Sequence, residues 1–307
     1  MPFLGGLRNQ AVEIVSGLHH YAGTTGLFCD PFFGGGSISH EAKRRGFQVA
    51  SNDLAKRSFI PARALIVNGD TIPASTAARL VLPHADEEDF RGHKIETVID
   101  EDILLFGRRL WHNAETDTER YLAMRVFMDL VPMGGFGLIK KTDTSNAAQE
   151  ARARATKLLD SPSALIDRSR KSVNAGIMAS PLEHKATQRD AIEHIAECGA
   201  AGAVIAHLDP PTYGTKQYDN HYWWLDWFIG DVVEETGRGF NKNEAIEFSR
   251  KCVQAAADIP VVCITQQEVA YDKKIAFDLL EEVGRQTEGF LIKSNTANPF
   301  FMVVGLK

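Results

Sequence analysis

GLFCDPFFGGGSISHEAKRRGFQVASND, Gly26 to Asp53, carries the fold of this chain in one stretch. GLFCDPF reads as a short buried strand that ends in a turn. Three glycines follow, then Ser37 as a cap, a helix closed by Gly46, and a second apolar strand, FQVASND. Strand, glycine loop, helix, strand is a βαβ unit, and such units build parallel sheets whose ligands sit at the carboxyl ends of the strands.

The rhythm returns further along. DAIEHIAECGAAGAVIAHLDPP repeats helix then strand, NEAIEFSRKCVQAAA leads into the strand DIPVVCITQQ, and DKKIAFDLLEEVGR places Ala276, Leu279, Leu280 and Val283 on one helical face. GFLIKSNTANPFFMVVGLK, two apolar runs about an Asn/Pro turn, predicts a terminal antiparallel hairpin. Between Gly69 and about Ser180 the alternation stops, and apolar residues recur at helical spacing in EDILLFGRRLWHNA and ERYLAMRVFMDLV. The expected fold is therefore α/β: a Rossmann-like sheet with a terminal antiparallel hairpin and an inserted helical subdomain. The expected boundaries are 1–69 with 181–307 for the sheet domain and 70–180 for the insertion.

Composition bounds the partners. A chain of 307 residues, 44% apolar, can bury a large core, and its net charge of −6 argues against a wholly basic coat for nucleic acid. Locally the balance reverses: residues 140–190 carry ten Lys/Arg against six Asp/Glu. Within that span KKTDTSNAAQEARARATK fits a mobile loop and a solvated helix equally well. The four cysteines form no C-x-x-C pair, no His-x-x-x-His occurs, and the expectation is neither disulfide nor metal site. No apolar run approaches a membrane span, and a cytoplasmic location is expected.

Two constellations carry chemistry. The first is the glycine turn with Asp53. Gly34, Gly35 and Gly36 let the backbone approach a ligand, and Asp53, ending the next strand, is placed to accept ribose hydroxyls. No Gly-Lys-Ser/Thr follows the glycines, so this is no P-loop, and Asp30 just before them repels a pyrophosphate. An acid there suits a cationic or amino-bearing ligand, such as a sulfonium amino acid. The same turn also serves nicotinamide cofactors, mononucleotides or structure alone.

The second is Asp209-Pro210-Pro211, at the end of an apolar strand. Two prolines end the ladder and stiffen the backbone, which fixes the Asp209 carboxylate relative to the Pro210 carbonyl. Two fixed acceptors suit the two N–H donors of an exocyclic amine, with Tyr213 at hand to stack on a planar base. The plain alternative is a buried capping aspartate. Of the aromatics in YDNHYWWLDWF, Tyr218 and Tyr222 are candidates for a pocket wall, whereas tryptophans at helical spacing more often fill a core.

Asp30-Pro31-Phe32 with the triple glycine, Asn52-Asp53, a helical insertion and Asp209-Pro210-Pro211, in that order, resemble the S-adenosylmethionine-dependent DNA adenine methyltransferases of the phage and restriction-modification type. The resemblance covers most of the chain. It implies methylation of the adenine 6-amino group in DNA, most simply double-stranded, with S-adenosylmethionine as cofactor and no metal. By the same resemblance, FLGGLRNQAVEIV corresponds to the segment closing over the methionine part of the cofactor, which brings in Gly6 and Arg8. RYLAMRVFMDLVPMGGFGL corresponds to part of the target-recognition insertion, and TQRDAIEHI to a cofactor segment with Asp190 near the adenine. Cofactor contacts are thus expected from Gly6, Arg8, Asp30, Pro31, Phe32, Gly34, Gly36, Asp53 and Asp190. Catalysis is expected from Asp209, Pro210, Pro211 and Tyr213, and substrate contacts from Lys216, Tyr218 and Tyr222.

Two departures stand out. Thr212 occupies the place of the family's aromatic residue, with Tyr213 one position later. Leu7 stands where the family has lysine, and Arg8 is the neighbouring cation. Alternatives at this level are methylation of RNA, methylation of a cytosine 4-amino group, and an inactive nucleic-acid-binding relative. A nicotinamide dehydrogenase would leave Asp-Pro-Pro without a role.

Overall fold

The computed structural model describes residues 7, 9–83, 94–134, 137–139, 141–211, 218–230, 240–267, 273–292 and 300–307. In chain order its elements begin α1 (Ala11–Ala22), β1 (Leu27–Asp30), α2 (Ser37–Arg44), β2 (Gln48–Asn52), α3 (Lys56–Ala62) and α4 (Thr76–Leu80). They continue with α5 (Glu101–His112), α6 (Asp117–Leu130), β3 (Met133–Gly134), β4 (Gly137–Leu138), α7 (Asn146–Leu159), α8 (Pro162–Gly176), β5 (Lys185–Thr187) and α9 (Ala191–Ala200). The last are β6 (Ala203–Leu208), α10 (Tyr218–Phe228), α11 (Lys242–Ala255), β7 (Val261–Gln267), α12 (Lys273–Glu281), β8 (Gln286–Ile292) and β9 (Phe300–Leu306).

These elements fall into two compact units. One comprises Pro2–Val67, Met178–Gln217 and Arg238–Lys307, and the other Asn68–Ile177 and Tyr218–Gly237 with Met1. The first is the α/β unit. Its seven-stranded sheet runs β5-β2-β1-β6-β7-β9-β8. The pairs from β5 through β7 are parallel, and β9 runs antiparallel to both β7 and β8. The expected Rossmann-like sheet and terminal hairpin are both present. Chain order reverses direction at β1, flanked by β2 and β6, and such a switch point opens a crevice at the strand ends.

Both faces of the sheet are covered, as a mainly parallel sheet requires. On one, Ile14, Val15 and Leu18 of α1 join Phe28, Phe47, Val49 and Ile205 in a buried cluster. On the other, Ile195 and Cys198 of α9 and Cys252 and Val253 of α11 pack with Ala206, Leu208 and Ile264. Helix ends follow local chemistry: Gly23, at φ 64°, turns the chain out of α1, and an Asn241/Glu244 capping box starts α11. A five-residue π-helical turn follows α3 at Arg63–Val67, and the buried Lys43 ammonium donates to two of its carbonyls, Leu65 O at 3.2 Å and Ile66 O at 2.8 Å.

Arg285 stitches the far side of this sheet together. Its guanidinium donates to the carbonyls of Ala256 (2.8 Å), Ile259 (2.8 Å), Ala257 (3.2 Å), Pro260 (3.2 Å) and Gly305 (3.3 Å). Residue 305 has to be glycine for this approach, because a Cβ there would sit 2.9 Å from Arg285 Cδ.

The second unit is helical. A Thr116/Glu119 capping box starts α6, whose Leu122, Val126, Phe127 and Leu130 are fully buried. Phe127 stacks on Phe228 of α10 at 3.9 Å between ring centroids, and Trp224 packs on the same ring. Gly107 of α5 permits that stack, since a Cβ there would meet Phe127 Cδ2 at 2.6 Å. The segment that fitted loop or helix equally well is α7 over most of its length. Ser145 caps it, and only Ala148 and Ala155 are buried along it. No helix among the described residues is long and apolar enough to cross a membrane.

Candidate active site

The carboxyl ends of β1, β2 and β6 meet in the α/β unit, and each carries one of the motif acids. Asp30 is the last residue of β1, Asp53 follows β2, and Asp209 follows β6. Parallel pairing of β1 with both neighbours makes this convergence unavoidable, because it aligns Asp30 with Ser51 on one side and Cys29 with Ala206 on the other.

The glycine turn is built by positive φ angles. Gly34 has φ 50° and Gly36 φ 77°. A Cβ on Gly36 would lie 2.2 Å from Phe33 Cζ, so glycine is needed there on both counts, whereas Gly34 would meet only Phe32 O at 3.9 Å. Asp53 holds the turn from below: its Oδ2 accepts the Gly34 N–H at 2.8 Å and its Oδ1 the Ala55 N–H at 2.9 Å. Burial pushes the Asp53 carboxyl above its ordinary range, and the two backbone N–H groups draw it back. The Ser58 hydroxyl also hydrogen-bonds this carboxylate, which leaves about one of its four acceptor sites for a ligand hydroxyl.

Asn52 supplies a hub that the sequence did not reveal. Its Nδ2 donates to Pro31 O at 3.3 Å and Arg189 O at 3.0 Å, while Oδ1 accepts from Thr187 Oγ1 at 2.8 Å and Arg189 N at 3.2 Å. One side chain thereby joins the glycine turn to the segment after β5. Asp190, expected near a cofactor adenine, is exposed, and its Oδ1 caps α9 by accepting from Ile192 N and Glu193 N.

Asp30 is 1% exposed. Its Oδ2 accepts from Ser39 Oγ at 2.6 Å, and its Oδ1 stands 3.8 Å from His207 Nδ1. Neither of these last two atoms has a hydrogen-bond partner. The other nitrogen of His207 pairs with Thr265 Oγ1 at 2.9 Å, which ties β6 to β7.

Beside them lies the Asp-Pro-Pro turn. Burial pushes the Asp209 carboxyl up to about 7; His207 pulls it down and Asp30 adds to the rise. Gln266, near the end of β7 and 2% exposed, aims its amide nitrogen between the two expected acceptors. Nε2 lies 2.8 Å from the Pro210 carbonyl and 3.4 Å from Asp209 Oδ1. Both neighbours are acceptors, which fixes nitrogen rather than oxygen at that point.

The chain matches the family model of the D12 class N6 adenine-specific DNA methyltransferases over residues 3–254. It belongs to that family. A comparison with curated proteins finds no match. As a D12-class methyltransferase the chain is an enzyme that transfers a methyl group to N6 of adenine in DNA, in agreement with the resemblance of its motifs.

Of the expected residues, Asp30, Pro31, Phe32, Gly34, Gly36, Asp53, Asp190, Asp209, Pro210 and Pro211 all belong to the α/β unit. Tyr222 belongs to the helical unit and is 4% exposed, on the same helix as Trp224, which is wholly buried and fills the core of that unit. Gly6, Arg8, Tyr213 and Lys216 lie outside the described residues, as does the side chain of Tyr218. Gln266 and His207 are the site neighbours that sequence reasoning passed over as ligand partners. The acid-rich donor set, with an unpartnered Asp30 oxygen and no cation in the glycine turn, fits a hydroxylated and positively charged ligand better than a polyphosphate.

One cluster behind the site has metal-type donors. Cys29 of β1 and His194 and Cys198 of α9 are buried with their ligand atoms within 4.8 Å of one another. Spacing did not disclose it because Cys29 comes from another element. His194 Nδ1 contacts Thr187 Oγ1 at 3.0 Å and Nε2 contacts Ala50 O at 3.2 Å and Cys198 Sγ at 3.5 Å. Its ring already has protein partners at both nitrogens, and three ligands fall short of the four of a closed structural zinc site. The trio is a hydrogen-bonded part of the core.

Proposed function

We propose that this D12-class enzyme draws its methyl group from S-adenosylmethionine held at the glycine turn, and that the adenine amine is received between Asp209 Oδ1 and the Pro210 carbonyl. One observation carries the reading: these two acceptors converge on a single nitrogen-sized point, marked by Gln266 Nε2 at 3.4 and 2.8 Å. An arylamine is a weak nucleophile because its lone pair is delocalised into the ring. Hydrogen bonds from both of its N–H groups to fixed acceptors favour a pyramidal nitrogen with the lone pair directed outward, and the rigid prolines keep that geometry without reorganisation.

S-adenosylmethionine, when bound, supplies an electrophilic methyl on a sulfonium. Asp53 would hold the ribose hydroxyls, and the free oxygen of Asp30 would face the cationic end. As the nitrogen–methyl bond forms and the carbon–sulfur bond breaks, the amine becomes acidic. The Asp209 carboxylate, with its affinity for protons raised to about 7, is placed to take the released proton. The target adenine must leave a base stack to reach this point, so extrusion from double-stranded DNA, with Tyr213 as the stacking ring, completes the proposal.

Labelled S-adenosylmethionine incubated with double-stranded DNA should place label on adenine N6. Asp209→Ala should abolish the transfer while leaving cofactor affinity within about twofold. An unchanged rate in that variant would remove Asp209 from the mechanism.

A further inference from the structure

We infer that Gln266 is a built-in stand-in for the adenine amine: its carboxamide occupies the amine position while the site is empty and has to be displaced by the incoming base. The inference rests on the proposed role of Asp209 and Pro210 and adds to it a residue that gates entry of the base. A primary amide and an arylamine present the same NH2 group, and one nitrogen of Gln266 already engages both acceptors at 2.8 and 3.4 Å.

The physical reason lies in the cost of an empty site. The Pro210 carbonyl is buried and held by proline-stiffened backbone, and the Asp209 carboxylate stands beside it. Acceptors left unpaired there would destabilise the free enzyme. Gln266 is well placed to fill the gap. It comes from β7, whose register pairs His207 with Cys263 and Leu208 with Ile264, so that Gln266 lies level with the turn that follows β6. Its side chain is long enough to reach in, and a change of its χ angles would be needed for it to withdraw.

Exchange of amide for amine conserves both hydrogen bonds, so an adenine enters at little net cost. A base with a carbonyl at that position cannot replace the displaced donors and brings an acceptor up to two acceptors. Gln266 therefore adds the same displacement cost to every incoming base, and only a base that restores the two donors recovers it at Asp209 and Pro210.

That displacement cost gives the test its sign. Wild type and Gln266→Ala, as full chains, are compared for kcat and KM on a DNA duplex that the wild type methylates, and for Tm with and without that duplex. Removing the stand-in should lower the Tm of the free protein and lower KM for the duplex by about fivefold, with a smaller change in kcat. A duplex with purine, which lacks the 6-amino group, at the target position should gain affinity by about the same factor, because the hydrogen bonds displaced are the same for both. A residue that merely braces the turn would do the opposite, lowering kcat with KM unchanged or raised, and that result would overturn the inference. Should Gln266→Ala not fold, Gln266→Met, of similar length but without the amide, takes its place with the same expectation. Absence of any Asp209-dependent methyl transfer by the wild type would sink the underlying reading and this one together. Asp209-dependent transfer with KM unmoved in the Gln266 variants would sink this one alone.

Discussion

Asp53 Oδ2 accepts the Gly34 N–H at 2.8 Å, so the residue that ends β2 fixes the glycine turn that ends β1. A carboxylate expected from sequence to face a ribose is thus also the prop of the loop on which the nucleoside would rest. Asp53→Ala should then do two things at once: lower stability by about 1–3 kcal/mol, from two lost charge-assisted hydrogen bonds, and weaken S-adenosylmethionine binding at least about tenfold. Urea denaturation and calorimetric titration read the two effects separately. Loss of affinity without loss of stability would mean that Asp53 contacts only the ligand.

The turn itself offers a sterically sharper probe. Gly36→Ala imposes a positive φ on an L residue and drives a methyl into the Phe33 ring. A destabilisation of about 2–4 kcal/mol is expected, together with impaired cofactor binding. Gly35→Ala, at an exposed position whose φ is not positive, should cost less than about 1 kcal/mol. Thermal melts of the two variants decide the matter.

The Asp209 carboxyl, raised from 3.8 to about 7, ties both activity and stability to pH. In the proposed mechanism the ionised form accepts the amine, so kcat/KM should fall as the pH drops below about 7. For stability the sign is opposite. The folded state holds this proton more tightly than the unfolded chain, so the stabilisation is complete below about pH 4 and lost as the pH rises through 7. Asp209→Asn mimics the protonated form and should exceed wild type by about 2 kcal/mol at pH 8, with no advantage at pH 4. Denaturant titrations at the two pH values test this.

Trp224 and Tyr222 lie on one helix, both buried. With Trp224 packed on Phe127, Trp224→Ala should cost about 3–5 kcal/mol, whereas Trp224→Phe should retain much of the packing. A tryptophan that served the base pocket would show the reverse pattern, near-native stability with lost methylation.

The parts of this fold visible in the sequence are those that depend on neighbours in the chain. The glycines, the Asp53 strand end and the Pro210-Pro211 stop each announce themselves locally, and so does the 3.6-residue spacing of Ala276, Leu279 and Leu280. Less visible were elements decided by distant partners. β5 is a three-residue strand, Lys185–Thr187, with little apolar pattern of its own, and it exists because β2 offers it an edge. The π-helical turn after α3 takes hydrogen bonds from the Lys43 ammonium of α2, a partner about twenty residues away in the chain. In α7 the polar composition hid a helix that Ser145 caps. The candidate site divides the same way: Asp209 and Pro210 stood out as acceptors, but Gln266, which faces them, is far along the chain and looks like any polar residue ending a strand. Asn52 likewise gave no hint that four hydrogen bonds would converge on it.

Arg285 has a consequence for how this protein comes apart. Four of its carbonyl partners lie in the corner Ala256–Pro260 and one, Gly305, in β9, so the terminal hairpin cannot peel away without stranding a buried guanidinium. Backbone amides of β9 and of the last turn of α11 should therefore exchange with deuterium in a single cooperative opening, as one foldon and not as a fraying end.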